Sequence, residues 1–226
     1  MQTTSRPLQL LVWGAVLLTI LAIAVAYVVK ESARKTALMG DEGFQVEQPV
    51  SNGPLPVLFQ IPDFALTNQA GNLVTLAGLK GQVWITDIIF TRCAGPCPDM
   101  TRRMAEFQVA IPARSPVKFV TLTADPQNDT PAVLDTYARR ISAAPGRWHF
   151  LTGTKKQIVD LAVQGLKLTT LDKEEAQRTD PNDLFIHSTM FVVVDQQGRA
   201  RAVLESDEPL MKLKALGVIQ RLLDEK

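Results

Sequence analysis

The chain is poor in the residues that carry redox and metal chemistry. It has two cysteines, Cys93 and Cys97, and two histidines, His149 and His187, in 226 residues. Two cysteines are too few for a disulfide-stapled scaffold, and a single close pair reads instead as a redox or metal site. Two Cys and two His also weigh against a structural zinc centre, which as a rule takes four protein ligands. Neither sign of charge is in excess: 24 basic residues face 23 acidic ones, a net charge of +1. No basic stripe runs along the chain, so nothing points to a nucleic-acid partner. Internal repeats and low-complexity segments are absent as well.

Long apolar runs are scarce too, with one exception. Leu8 to Val29 carries no charged residue and only Gln9 and Thr19 as clearly polar ones. At about 1.5 Å rise per residue, a helix of this length crosses a hydrocarbon core of about 30 Å. Trp13 and Tyr27 lie near its ends, where amphipathic rings favour the interface. The run is longer than the apolar core of a signal peptide, so it is read as an uncleaved anchor, although Ala24-Val25-Ala26 resembles a cleavage site. Arg6 precedes the span while Lys30, Arg34 and Lys35 lie just after it, and by the positive-inside rule this opposes export of the C-terminal domain. Export is preferred on the chemistry of the cysteines. The N-terminus lacks the amphipathic, Arg- and Ser-rich pattern of a mitochondrial presequence, which leaves a bacterial inner membrane as the simpler home. The chain then divides into a tail at 1–7, a transmembrane anchor at 8–29, a Gly- and Pro-containing linker at 30–56 and a domain at 57–226.

Within the domain, Phe64-Ala65-Leu66 and Leu73 to Leu76 flank a turn-rich loop and predict a hairpin. Val83 to Phe90 is a nearly continuous apolar strand, as expected at the centre of a covered sheet. Pro98 suits the first helical position, which puts Cys97 at or beside the N-cap. Met100, Met104, Phe107 and Ile111 then follow at helical spacing. Val117 to Thr123 is the next strand. Thr130 caps a helix that starts at Pro131, with Val133, Leu134, Tyr137 and Ala138 as its buried stripe. Trp148 to Leu151 is a short strand, and Thr154 to Gln157 is a capping box for a helix through about Gln164. Residues 166–183 read as a long loop or hairpin. Ser188 to Val194 and Ala200 to Leu204 form a closing hairpin. The last helix places Leu210, Leu213, Leu216, Ile219 and Leu222 or Leu223 on one face. A strand-helix-strand core closed by an antiparallel hairpin and a final helix is the α/β thioredoxin-like arrangement, here with an added N-terminal β-hairpin and a single transmembrane helix ahead of it.

The two cysteines stand in a C-x-x-x-C-P frame at the junction of a strand and a helix. A helix N-terminus offers partial positive charge and N–H groups, which favour thiolate over thiol. Thiolate is the form that attacks disulfides and binds soft metals. Two thiolates hold Cu(I) in near-linear geometry, and an imidazole added as third ligand also stabilises Cu(II). His187 is the candidate third ligand, at the end of a polar loop just before a strand. His149, inside a short strand, reads as structural. Met100, Met104 and Met190 read as core, and Arg92, Arg102 and Arg103 as a solvated rim able to steer an acidic partner. Asp87 shares a strand face with Ile85 and Ile89. A carboxylate on an apolar face is costly unless paired or protonated. Six residues before Cys93, Asp87 matches the buried aspartate of thioredoxins and is a candidate proton acceptor for the thiols.

From about Pro62 to the C-terminus the chain resembles the Sco/SenC family, membrane-anchored copper-handling relatives of thioredoxin. The resemblance rests on Phe90-Thr91-Arg92-Cys93 to Cys97-Pro98, on the Asp125-Pro126 to Asp129-Thr130 loop, on Phe150 to Thr154 and on Ile186-His187-Ser188. The triplet between the cysteines, Ala94-Gly95-Pro96, departs from the aromatic, Asp or Val residues common there, and Gly95-Pro96-Cys97 looks like a thioredoxin active-site turn. No proline precedes the strand at Thr189, where thioredoxins carry a cis-proline. The resemblance implies that Cys93, Cys97 and His187 bind one copper ion for delivery to the copper A centre of cytochrome c oxidase, with a periplasmic copper donor or thiol reductase upstream. The rival reading is a thiol-disulfide reductase that keeps the oxidase subunit's cysteines reduced, Cys93 attacking and Cys97 resolving. A peroxidase of the same fold would need a peroxide-activating Arg and Thr that the sequence does not place.

Overall fold

The computed structural model describes residues 53–174 and 185–225, together with Ala26 and Ala176; for Ile186 and His187 it describes the backbone alone. The anchor expected at 8–29 lies outside the described residues, apart from Ala26. Among the described residues no helix is long and apolar enough to cross a membrane.

The strands in chain order are β1 (Phe59–Gln60), β2 (Ala65–Asn68), β3 (Leu73–Thr75), β4 (Val83–Ile89), β5 (Val117–Thr123), β6 (Trp148–Thr152), β7 (Thr170–Asp172), β8 (Phe185–His187), β9 (Met190–Val194) and β10 (Arg199–Glu205). The helices are α1 (Leu76–Leu79), α2 (Cys97–Ala110), α3 (Pro131–Arg140), α4 (Lys155–Val159), which runs on into a π-helical stretch at Asp160–Gly165, and α5 (Met211–Asp224). Eight strands form one sheet in the order β1-β10-β9-β4-β5-β6-β2-β3. β4, β5 and β6 are parallel, with α2 and α3 as their crossovers, and the flanking strands are antiparallel. β7 and β8 pair separately and antiparallel; β7 lies within the segment read as a long loop or hairpin at 166–183, and β8 follows that segment.

β4 is buried at every position, as its unbroken apolar run requires of a strand covered on both faces. Asp87 is level with Thr121 on β5, which is level with Phe150 on β6. The ring of Tyr137 from α3 meets Phe150 edge-on at 5.8 Å. The Asp87 face of the sheet therefore lies under the helices that carry Cys97 and Tyr137. The Thr130 cap and the Thr154–Gln157 capping box form as expected, each Thr hydroxyl accepting from a backbone N–H.

Two helical stripes differ from expectation. On α5 the buried residues are Met211, Ala215, Ile219 and Leu222, while Leu210 is 63% and Leu213 65% exposed. Leu210 sits in the left-handed region at φ 63° and precedes the helix, so the stripe starts one residue later and rotates away from Leu213. On α3, Val133 is 39% exposed and the stripe is Leu134, Tyr137 and Ala138. Leu55 and Pro56, the end of the segment read as a linker, are tied to the domain. Their carbonyls accept from Arg201, and the Leu55 N–H donates to Glu225 Oε1 at 3.2 Å.

Candidate metal centre

β4 delivers the chain to the sheet rim and α2 takes it away, and the two cysteines lie on the turn between them. The Cys93 N–H closes the turn on the Phe90 carbonyl at 3.2 Å, and the Met100 N–H opens the helix on the Pro96 carbonyl at 3.0 Å. Pro96 is the N-cap, so Cys97 is the first residue of α2 and Pro98 the second. The turn between the thiols is exposed, and Cys93 is half-buried, whereas Cys97 is 1% exposed. The Gly95 N–H donates to Cys93 Sγ at 3.3 Å. The two cysteines form no disulfide and are in side-chain hydrogen-bond contact with each other.

The Cys97 thiol does not behave as a helix N-terminus alone would dictate. Burial pushes its pKa well above the ordinary thiol range, and the Cys93 sulfur and the Asp87 carboxylate push it further. Desolvation outweighs the helix dipole because Cys97 lies inside the first turn, under the protein rather than at its mouth. A soft cation that takes the place of the protons would relieve that penalty, since it neutralises both sulfurs where they lie.

Asp87 is fully buried, as its place on the apolar face of β4 implies. Its charge acts on both Cys97 and Tyr137. His149 faces away from the thiols; its Nδ1 is 3.3 Å from Asn68 Nδ2, and burial holds its pKa below the ordinary value. Met100 and Met104 are core residues, and Met190 is half-buried at the start of β9. Arg102 and Arg103 pair with Asp99, and Arg92 with Asp125 at 2.8 Å.

The backbone at 187 belongs to a different part of the sheet rim. β9 is antiparallel to β4, with Thr86 level with Val192, so the start of β9 lies beside the end of β4. β8 ends three residues before β9 begins. Phe185, at the start of β8, packs edge-on against Phe90 with ring centres 5.0 Å apart. The backbone at 187 pairs with Thr170 at this rim. The imidazole lies outside the described residues. Among the described residues no three Cys, His, Asp or Glu side chains are grouped as metal ligands.

The family model described as SCO1/SenC matches residues 58–223. The chain belongs to the SCO1/SenC family. A SCO1 protein homolog of Bacillus subtilis is 32% identical over 64% of this chain and 72% of its own length. A Stutzerimonas stutzeri protein described as copper-binding is 29% identical over 75% of this chain and 80% of its own. The solved structure of BsSco, a member of the Sco family of cytochrome c oxidase assembly proteins, is 28% identical, covers 76% of this chain and 98% of its own, and superposes with a TM-score of 0.65. The fold is thus the thioredoxin-like fold of the Sco proteins.

Sequence reasoning missed how this SCO1/SenC chain holds its cysteine turn. Asp129, fully buried, accepts from the Thr91 N–H at 3.1 Å and from the Thr91 and Thr123 hydroxyls at 2.5 Å each. Asp125 takes the Arg92 guanidinium and both contacts from Asn128 Nδ2 at 2.9 Å. The loop after β5 therefore clamps the two residues immediately before Cys93. The motif Asp125-Pro126 to Asp129-Thr130 was visible, but which strand end it would grip was not, because that depends on the parallel pairing of β4 with β5. Thr101 and Tyr137 were missed as well. Their hydroxyls meet at 2.8 Å on the wall of a cavity of about 590 Å³ that opens beside Cys93 and Cys97.

Proposed function

We propose that this chain is a membrane-anchored copper-handling protein whose Cys93, Cys97 and His187 bind one copper ion and pass it by ligand exchange to the copper A subunit of cytochrome c oxidase. The observation that carries the reading is the contact between a half-buried and a fully buried thiol at the head of α2. The donor set fits the cargo. Two soft sulfurs suit Cu(I), the cost of an uncompensated thiolate at Cys97 favours a bound cation over an open anion, and an imidazole extends the site to Cu(II). Asp87 lies beneath the thiols and would disfavour their anions until the metal arrives. Family membership and the copper-binding description of a relative support the same reading. On this proposal residues 8–29 anchor the chain in a bacterial inner membrane, 30–56 link it, and the domain from 57 works in the periplasm, where the oxidase subunit is its partner.

The asymmetry of the two thiols also favours a second reading, in which half-buried Cys93 attacks a disulfide and buried Cys97 resolves it. His187→Ala separates the two. Copper titration of the reduced chain should then show affinity lower by at least about tenfold, the size of effect expected when even an outer-shell partner is lost. Disulfide exchange should be little changed. If copper affinity is unaltered and exchange collapses, the carrier reading gives way to the reductase.

A further inference from the structure

We propose that the cavity beside the thiols is a docking trough for an extended, carboxylate-bearing segment of a partner protein, with Arg140 as its receptor. The inference rests on the reading of Cys93 and Cys97 as the working site and adds the chemistry of the molecule that approaches them. Three guanidinium side chains, Arg92, Arg102 and Arg140, line this cavity, and no carboxylate does. The three arginines are not equivalent. Arg92 is taken by Asp125, and Arg102 by Asp99 and Glu106. Arg140 is exposed, has no ion pair among the described residues, and lies over the Tyr137 ring with its guanidinium carbon 4.9 Å from the ring centre. Stacking on an aromatic face fixes the plane of the fork and leaves its edge donors open to a carboxylate.

The shape favours a chain over a small molecule. A second concavity of about 430 Å³ shares Thr91, Tyr137 and Arg140 with the first. As two adjoining hollows with a common wall at Thr91, Tyr137 and Arg140, they form the proposed trough, which leads from the thiols to α3. Its apolar floor includes Pro98, Ala105 and Ile141 near the cysteines and Val133 further along. The segment best suited to it carries its own cysteine at the thiol end and an acidic residue a few positions away. The N-terminus of α2, which points into the same end, adds to the attraction for negative charge.

The test uses the reduced full chain and two synthetic peptides. Each has one cysteine held as a mixed disulfide with thionitrobenzoate, flanked by Glu in one peptide and Gln in the other. Cys93 thiolate attacks the peptide sulfur and expels coloured thionitrobenzoate. Cys97 then attacks Cys93 Sγ, expels the peptide thiol and leaves a Cys93–Cys97 disulfide, so the protein gives up two electrons and the probe takes them. The Glu peptide should release colour about tenfold faster than the Gln peptide at low ionic strength, with the advantage shrinking as salt is added. Arg140→Gln should bring the ratio near one, whereas Arg139→Gln, on the same helix but paired with Asp135 at 2.6 Å, should keep it. Equal rates for the two peptides, or a preference that survives Arg140→Gln, overturns the docking site. The same preference for a small anionic disulfide such as dithiobis(nitrobenzoate) over a neutral one overturns the protein segment as occupant. Copper uptake by the wild-type chain is read in parallel. If copper is not bound, the reading of the thiols fails, and if copper is bound while the peptides react alike, only the trough fails.

Discussion

Asp129 and Asp195 are both fully buried carboxylates, one at each rim of the same sheet, and they are held in opposite ways. Asp129 follows β5 at the cysteine rim, and its partners are neutral: two threonine hydroxyls and one backbone N–H. Burial dominates there, and despite those hydrogen bonds its pKa lies above the ordinary 3.8. Asp195 follows β9 at the far rim. Burial alone would push it up too, but the Arg199 backbone N–H and the Arg201 and Arg199 guanidinium groups outweigh that and hold it below 3.8. Arg201, itself buried, also binds Glu225 and the carbonyls of Leu55 and Pro56, so the far rim stitches the start and end of the domain together. The contrast separates two uses of buried charge. The far rim is fully compensated and serves the fold. At the cysteine rim burial dominates for Asp129 and for the Cys97 thiol, so a change of charge at the site is felt strongly.

The largest effect expected is at the far rim. Arg201→Ala removes the buried one of the two guanidinium partners of Asp195 and leaves two carbonyls without their donor, and it should cost about 3–5 kcal/mol in urea unfolding. A loss under about 1 kcal/mol would break the comparison. Next, Asp195→Asn should cost about 2–3 kcal/mol near neutrality, the scale of charged hydrogen bonds. Asp129→Asn should cost less, since the neutral side chain already suits its site.

The pH dependence of those two costs sharpens the point. The folded pKa of Asp195 is depressed, so its contribution is present above the unfolded value and lost as pH falls through the folded one. The folded pKa of Asp129 is raised, so its contribution is present at low pH and lost as pH rises through the folded value. Stability measured from about pH 3 to 7 should therefore show the cost of Asp195→Asn growing with pH and that of Asp129→Asn shrinking. Parallel trends would contradict the assignment of partners. The smallest effect is Thr101→Val, which removes one partner of the Tyr137 hydroxyl and should cost about 0.5–1.5 kcal/mol with no change in core packing.

Most of the fold was legible because its signals are local. The unbroken apolar run of β4, Thr130 before Pro131, and the Thr154–Gln157 box each specify an element without help from elsewhere. The features that were not legible depend on tertiary geometry. The sequence leading into α5 has leucines at 210, 213 and 216, and nothing local says that the helix starts after Leu210 and buries Met211 and Ala215 instead. β1 is two residues long and exists only because β10 pairs with it. At the site, the C-x-x-x-C-P frame and the face occupied by Asp87 could be read from spacing and strand alternation. The grip of Asp125 and Asp129 on Arg92 and Thr91, across 33 and 38 residues, could not.

Copper-edge X-ray absorption on the reduced, copper-loaded chain reads the ligands of the bound ion. Two sulfurs and one imidazole nitrogen should ligate the copper, with the nitrogen lost in His187→Ala and the sulfurs in the double Cys93→Ser, Cys97→Ser variant. A shell without sulfur, or one that His187→Ala leaves unchanged, would contradict this ligand set.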